Sequence, residues 1–158
     1  MTEREQKFHQ LVERQRDLIW HVCSDYNLSA AWETQDAFQE VLCALWRDMD
    51  AFRGDSSERT WVYRLATNTL LAIKRKMSNQ PQADAEPYRP DEAAPDTEDH
   101  DHLMQLVGQL GPRDEQLVMA YLHGFSQEEM ARICGCSIPT VARRLAKARE
   151  WLRENYEY

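Results

Sequence analysis

The sequence predicts an all-α protein of two small helical domains joined by a flexible acidic linker. Three observations predict it. Apolar residues recur at spacings of three and four through residues 1–77 and again through 102–158. A stretch rich in proline and carboxylates, 78–101, separates the two. No run alternates apolar and polar residues as a half-buried strand requires. The length of 158 residues, at 42% hydrophobic and 29% charged, suits two small globular domains rather than a large enzyme.

In chain order, Phe8, Leu11, Val12, Leu18, Ile19, Val22, Cys23 and Tyr26 form the first helical stripe, with Gln15 as its polar exception. Ala37, Phe38, Val41, Leu42, Leu45 and Trp46 form a second, stronger one. The third runs Trp61, Val62, Leu65, Ala66, Thr69, Leu70, Ile73 and Met77. Between the second and third, Phe52-Arg-Gly-Asp-Ser-Ser57 reads as a turn-rich loop. Three stripes must bury one another, which makes 1–77 a helical domain.

Residues 78–101 hold Pro81, Pro87, Pro90, Pro95 and eight carboxylates, with Tyr88 the only large apolar residue. Such a segment cannot bury enough apolar area to offset its ordering entropy, and self-repulsion extends it. An acidic tether could also occupy nearby basic faces when no nucleic acid is bound.

Beyond it, Leu103, Leu106, Val107 and Leu110 precede Gly111-Pro112, a helix stop followed by a helix start. Leu117, Val118, Tyr121 and Leu122 continue to His123-Gly124. Ser126-Gln-Glu-Glu129 is a capping box ahead of Met130, Ala131 and Ile133. Gly135-Cys136 supplies a turn whose glycine takes a positive φ, Ser137 caps again, and Pro139 sits in the first turn. Ile138, Val141, Leu145, Ala148 and Leu152 form the last stripe.

The net charge of −8 conceals segregation. Residues 59–77 carry five basic groups and no acidic one, and residues 137–158 carry five against three. The rest of the chain is acidic. Two basic segments of this kind are what phosphate binding requires, whatever the total charge. Cys23 and Cys43 fall on apolar stripes, and the Cys134-x-Cys136 pair lacks a second ligand pair, so neither a disulfide framework nor a metal site is expected. The polar N-terminus has no signal-peptide core, and no apolar run is long enough to span a bilayer, so a cytoplasmic protein without membrane insertion is expected.

Three constellations carry function. Residues 126–149 describe a helix-turn-helix. Its second helix turns Thr140, Arg143, Arg144 and Lys147 outward, with Arg149 further along; Ser137 and Pro139 stand at its head. Arginine suits guanine edges, and hydroxyls and lysine suit phosphates. Residues 59–76 interleave aromatics with cations: Arg59, Trp61, Tyr63, Arg64, then Asn68, Lys74, Arg75 and Lys76. Aromatics give stacking surface for unpaired bases while the cations hold the backbone. Asp36-Ala-Phe-Gln-Glu40 is an acidic helix head with no nucleophile or histidine beside it, which reads as a solvated face or a protein-docking face and not as acid–base chemistry.

These residues resemble the sigma-70 family of bacterial RNA polymerase sigma factors, and within it the compact extracytoplasmic-function (ECF) group. Asp36 to Val41 with Leu45-Trp46 resembles the helix that docks on the polymerase clamp. Phe52 to Ser56, Thr60 to Ala66 and Asn68 resemble the segment for minus-ten recognition and melting, and Leu110 to Leu152 the domain that reads the minus-thirty-five element. The resemblance implies a region 2 domain over 1–77 and a region 4 domain over 102–158, and leaves the linker variable. It implies polymerase docking through Asp36, Phe38, Gln39, Glu40 and Trp46. It further implies minus-ten contacts from Arg53, Gly54, Asp55, Ser56, Arg59, Trp61, Tyr63, Arg64, Asn68, Lys74 and Arg75, with the 54–60 loop capturing an extruded base. Ser137, Pro139, Thr140, Arg143, Arg144, Lys147 and Arg149 would serve the other element.

The expected protein is thus a monomer when free, without cofactor or enzymatic activity. Its partners would be core RNA polymerase, promoter DNA and an anti-sigma factor. The sequence departs from the family pattern at Ala37, Pro139 and Ala142-Arg143, and Val62 leaves Trp61 as a single wedge. Glu58 stands where an aromatic is usual, leaving the anchoring of its loop open. The rival reading is a free-standing dimeric helix-turn-helix regulator; a third is a helical adaptor for acidic proteins.

Overall fold

The computed structural model describes residues 1–26, 28, 32–79 and 95–156, and among these every regular element is helical. The chain divides into two compact units, residues 1–84 and 85–158. The first contains α1 (Glu3–Asp25), α2 (Thr34–Asp48), a 3-10 turn (Met49–Ala51) and α3 (Glu58–Asn79). The second contains α4 (Pro95–Gly108), α5 (Pro112–Leu122), α6 (Gln127–Cys134) and α7 (Ile138–Asn155).

In the first unit each of the three helices packs on the other two. Thr2 begins α1 with a capping box: its hydroxyl accepts the Glu5 N–H and the Glu5 carboxylate accepts the Thr2 N–H, each at 3.2 Å. Ile19, Val22, Val41, Leu45, Val62, Tyr63 and Leu70 are wholly buried where the stripes meet. Each such side chain contributes ~1.5–3 kcal/mol of apolar burial. Thr67 is buried among them, and its hydroxyl donates to the Tyr63 carbonyl at 2.8 Å, so its polar atom is satisfied within the helix. At the rim, the Arg4 guanidinium lies 3.9 Å over the Trp46 ring and donates to the Trp46 carbonyl. Its Nε also reaches Asp50 at 3.1 Å, tying the start of α1 to the 3-10 turn after α2.

The second unit is built on α5, α6 and α7, with α4 packed on α5 and α7. Gly124 (φ +86) ends α5 in a Schellman motif, in which the Phe125 N–H donates to the Ala120 carbonyl and the Gly124 N–H to the Tyr121 carbonyl, both 3.1 Å. The buried Phe125 ring closes that end. Ser126 and Glu129 form the expected capping box, Gly135 (φ +67) makes the expected left-handed turn, and Ser137 caps α7. Glu115 and Gln116 are buried on α5, a placement that the apolar stripe does not anticipate.

The structure alters some expectations. Helix extends through Asn79 and resumes at Pro95, so the linker expected over 78–101 gives up both ends. Proline in a first turn and early carboxylates suit a helix start. The middle of that segment, 80–94, lies outside the described residues. Gly111, expected as a helix stop, is the N-cap of α5 at an ordinary φ of −58°. Ile138 is not in the core: it is 43% exposed, because it opens α7 before the helix has made the turn that buries Val141 and Leu145.

Candidate nucleic-acid interface

In the first unit, α3 presents Trp61, Arg64 and Asn68 along one face, at the three- and four-residue spacings that align side chains. Arg64 and Asn68 are exposed and Trp61 is half-buried. They line a groove of about 560 Å³ whose other wall comes from α2 through Glu40, Arg47 and Asp48, with Lys76 at its end. Arg47 was not anticipated as a site residue; Lys76 belongs to the expected 59–76 constellation. Lys76 ends the basic run, whereas Arg47 had no signal beyond its own charge.

Tyr63 is a correction. It is wholly buried and does not share the Trp61 face, because residues two apart in a helix point some 200° apart. Its ring is core, which leaves Trp61 as the aromatic of α3 that lines the groove. Arg75 is exposed, and Lys74 and Arg59 are half-buried; none of the three lines the groove.

The loop before α3 is held at both ends. Phe52 packs on Trp61, ring centres 5.3 Å apart and tilted by 46°. Gly54 takes φ +80° at its apex, beside exposed Arg53 and Asp55. Ser56 is half-buried, its hydroxyl donating to the Ser57 carbonyl at 3.2 Å. Ser57 caps α3: its hydroxyl accepts the Thr60 N–H at 3.1 Å and donates to the Thr60 hydroxyl at 2.9 Å. Glu58 accepts hydrogen bonds from the Arg14 guanidinium, which holds its carboxyl below the usual 4.5 despite partial burial; a further bond from Gln15 adds to this. Gln15, the polar exception of the first stripe, therefore faces a polar partner.

On the acidic face of α2, Gln39 and Glu40 are exposed. Asp36 is exposed but also accepts the Glu33 N–H at 3.2 Å, helping to close the start of its own helix. Phe38 is a second correction: it is 8% exposed and packs edge-on against Trp20, ring centres 5.5 Å apart. Trp20, itself 45% exposed, is the aromatic of that pair that stays at the surface. Trp46 is 38% exposed, with Phe8 edge-on at 5.3 Å and Arg4 over its face.

In the second unit, α6, the Gly135 turn and α7 form the helix-turn-helix. Arg143 and Lys147 are exposed on α7 and Arg144 is half-buried; none of the three makes an ion pair among the described residues. Pro139 is exposed at the helix head, and the Ser137 and Thr140 hydroxyls bond to each other at 2.8 Å. Exposed Ile138 adds an apolar side chain at the same end. Arg149 stands apart: its guanidinium lies 4.7 Å over the Tyr121 ring, on a different flank from Arg143. Burial pushes the Cys23 and Cys134 thiols up to about 12.

Comparison with known proteins agrees with this geometry. Sigma-70 region 2 matches residues 11–79 and Sigma-70, region 4 matches residues 100–152. The RNA polymerase sigma-H factor of Pseudomonas aeruginosa is 35% identical, over 76% of this chain and 71% of its own. The ECF RNA polymerase sigma-E factor of Escherichia coli is 33% identical, over 95% of this chain and 89% of its own. Two solved structures share the fold at a TM-score of 0.68. One is the sigma factor RpoE of Bartonella quintana, solved with the anti-sigma factor NepR, at 20% identity over 94% of this chain and 95% of that one. The other is CnrH, solved with the cytosolic domain of CnrY, at 21% identity over 95% and 87%. With both regions in order and the sequence matched nearly end to end, the chain belongs to the ECF group of sigma-70 family RNA polymerase sigma factors.

Proposed function

We propose that this protein binds core RNA polymerase, brings it to promoters carrying two spaced elements, and opens the DNA at the downstream one. The observation that carries this reading is the face of α3, where Trp61, Arg64 and Asn68 line one groove and Trp61 packs on Phe52, the residue that leads into the exposed Arg53-Gly54-Asp55. In this reading the loop receives an extruded minus-ten base and Trp61 lies against the melted junction. Extrusion costs a few kcal/mol, which stacking and hydrogen bonds in the loop offset. Arg64, Arg47, Lys76 and Arg75 hold phosphates, with Arg59 and Lys74 contributing charge from the flanks. On α7, Arg143, Arg144 and Lys147 meet the minus-thirty-five element with Thr140, Pro139 and Ser137 at its edge, and Arg149 braces Tyr121. Gln39, Glu40 and Asp36, with Trp20 beside Phe38 and with Trp46, form the polymerase-docking side.

No covalent step is involved. The protein acts in the cytoplasm, and among the described residues no helix is long and apolar enough to cross a membrane. An anti-sigma factor is its expected regulator.

Run-off transcription with purified core polymerase and fragmented genomic DNA tests the reading. Polymerase-dependent transcripts sharing an upstream pair of elements are expected. Tight binding to palindromic sites without polymerase would overturn it in favour of a dimeric regulator.

A further inference from the structure

Glu58 is the first residue of α3 and the last link of the loop before it. Its carboxylate accepts Nε–H of Arg14 on one oxygen and Nη2–H on the other, each at 2.9 Å, and Nε2–H of Gln15 at 2.9 Å. All three donors come from α1. The fork is bidentate, so it fixes orientation as well as distance. An open surface pair would be worth little. Here Arg14 is 53% exposed, but the Glu58 side chain keeps only 28% of its exposure and the Gln15 bond is part-buried, so water competes less on the Glu58 side of the fork.

The consequence falls on the loop. Ser57 caps α3 directly ahead of Glu58, and Phe52 at the other end rests on Trp61. The exposed span Arg53-Gly54-Asp55 therefore lies between an aromatic contact at Phe52 and a hydrogen-bonded ion pair at Glu58. An apolar anchor at position 58 would hold the loop by non-directional contact. The fork instead sets one pose.

We infer that Arg14, Gln15 and Glu58 are positioning residues for base selection: through the 53–57 loop they set how strictly the minus-ten base is chosen. This rests on the sigma-factor reading above. A recognition loop must hold its geometry to within ~0.5 Å to discriminate, so an anchor one residue past it controls selectivity without touching DNA.

The test uses the full-length wild-type chain, Glu58→Arg, the double swap Arg14→Glu/Glu58→Arg, and the milder Glu58→Gln. Two quantities are read: hydrogen exchange of the 52–60 peptide in the free protein, and single-round transcription with core polymerase across all four bases at each minus-ten position. Preference between best and next-best base, as a ratio, cancels any general gain in DNA affinity from the added arginine. Glu58→Arg should exchange faster at 52–60 and lose about fivefold in that ratio, with the swap recovering most of both. Glu58→Gln should move both in the same direction by less, and serves if Glu58→Arg does not fold.

Unchanged selectivity in Glu58→Arg and Glu58→Gln overturns the inference. So does a swap that restores exchange but not selectivity, since the fork is then only a strut between α1 and α3. A wild type that selects no element with polymerase defeats the sigma-factor reading itself, and the inference with it. A selective wild type with equally selective variants defeats the inference alone.

Discussion

Phe52 and Trp61 hold each other across the loop that separates them, with ring centres 5.3 Å apart and planes tilted by 46°. The contact joins the start of the loop to the exposed face of α3, so two parts of the proposed melting surface depend on one aromatic pair. Such a pair contributes ~0.5–1.5 kcal/mol beyond its buried area. Trp61→Ala should leave closed-complex binding largely intact and reduce permanganate reactivity of melted thymines. Phe52→Ala should weaken melting in the same direction by less. Undiminished reactivity in Trp61→Ala would show that the ring only supports the fold.

On α7 the outward Arg143 and the flanking Arg149 should behave differently. Arg143→Ala is expected to cost ~1–3 kcal/mol at cognate minus-thirty-five sequences and to relax preference there, if it grips a base with two bonds. Lys147→Ala should weaken all sequences alike and lower the salt slope by about one. Arg149→Ala should lower the stability of the second unit through loss of its Tyr121 contact, with base preference unchanged. Footprinting and binding titrations over altered elements at several salt concentrations separate the three.

Gly135 turns α6 into α7 at φ +67° with no atom within 4 Å of where a Cβ would stand. Gly135→Ala therefore has no clash to relieve, only the left-handed backbone penalty of ~1–2 kcal/mol. Denaturant unfolding should show that loss in the transition of the second unit and none in the first. An unshifted transition would mean that the turn relaxes to another conformation.

The Glu58 carboxyl titrates below its ordinary 4.5 because Arg14 donates to its charged form. A lowered pKa means stability that is present above 4.5 and lost as pH falls through the folded value. The first unit should thus lose stability in that acid range, and Glu58→Gln should flatten the slope there by up to one proton. Equal slopes in wild type and variant would show that the fork does not couple to folding.

Thiol reactivity should follow burial. Cys43 is exposed and should react first with an aromatic disulfide reagent. Cys23 and Cys134, buried and with thiols pushed up to about 12, should react only on unfolding. Prompt reaction of all four in the native protein would contradict the packing of α1 and α6.

What was legible from residue order was local. Ser126 with Glu129, Ser137 with Thr140, and Gly135 each act within one helical turn, so spacing alone located the helix-turn-helix. Stripe spacing likewise marked three helices in the first unit, because a 3.6-residue period maps directly onto one buried face.

Periodicity does not say which neighbour covers which face. In the run Trp61-Val-Tyr63-Arg64 both aromatics looked available to bases; packing of α3 against α1 and α2 buried Tyr63 and left Trp61 in the groove. Phe38 went inward by the same cause, and Trp20 on α1 took its place at the surface. Gln15 looked like a flaw in an apolar stripe, and Glu58 like a lost aromatic anchor, until α1 and α3 met and gave each a partner 43 residues away. Charge and capping are written into neighbouring residues. Burial and long-range pairing exist only once the helices have packed, because they are properties of two surfaces rather than of one.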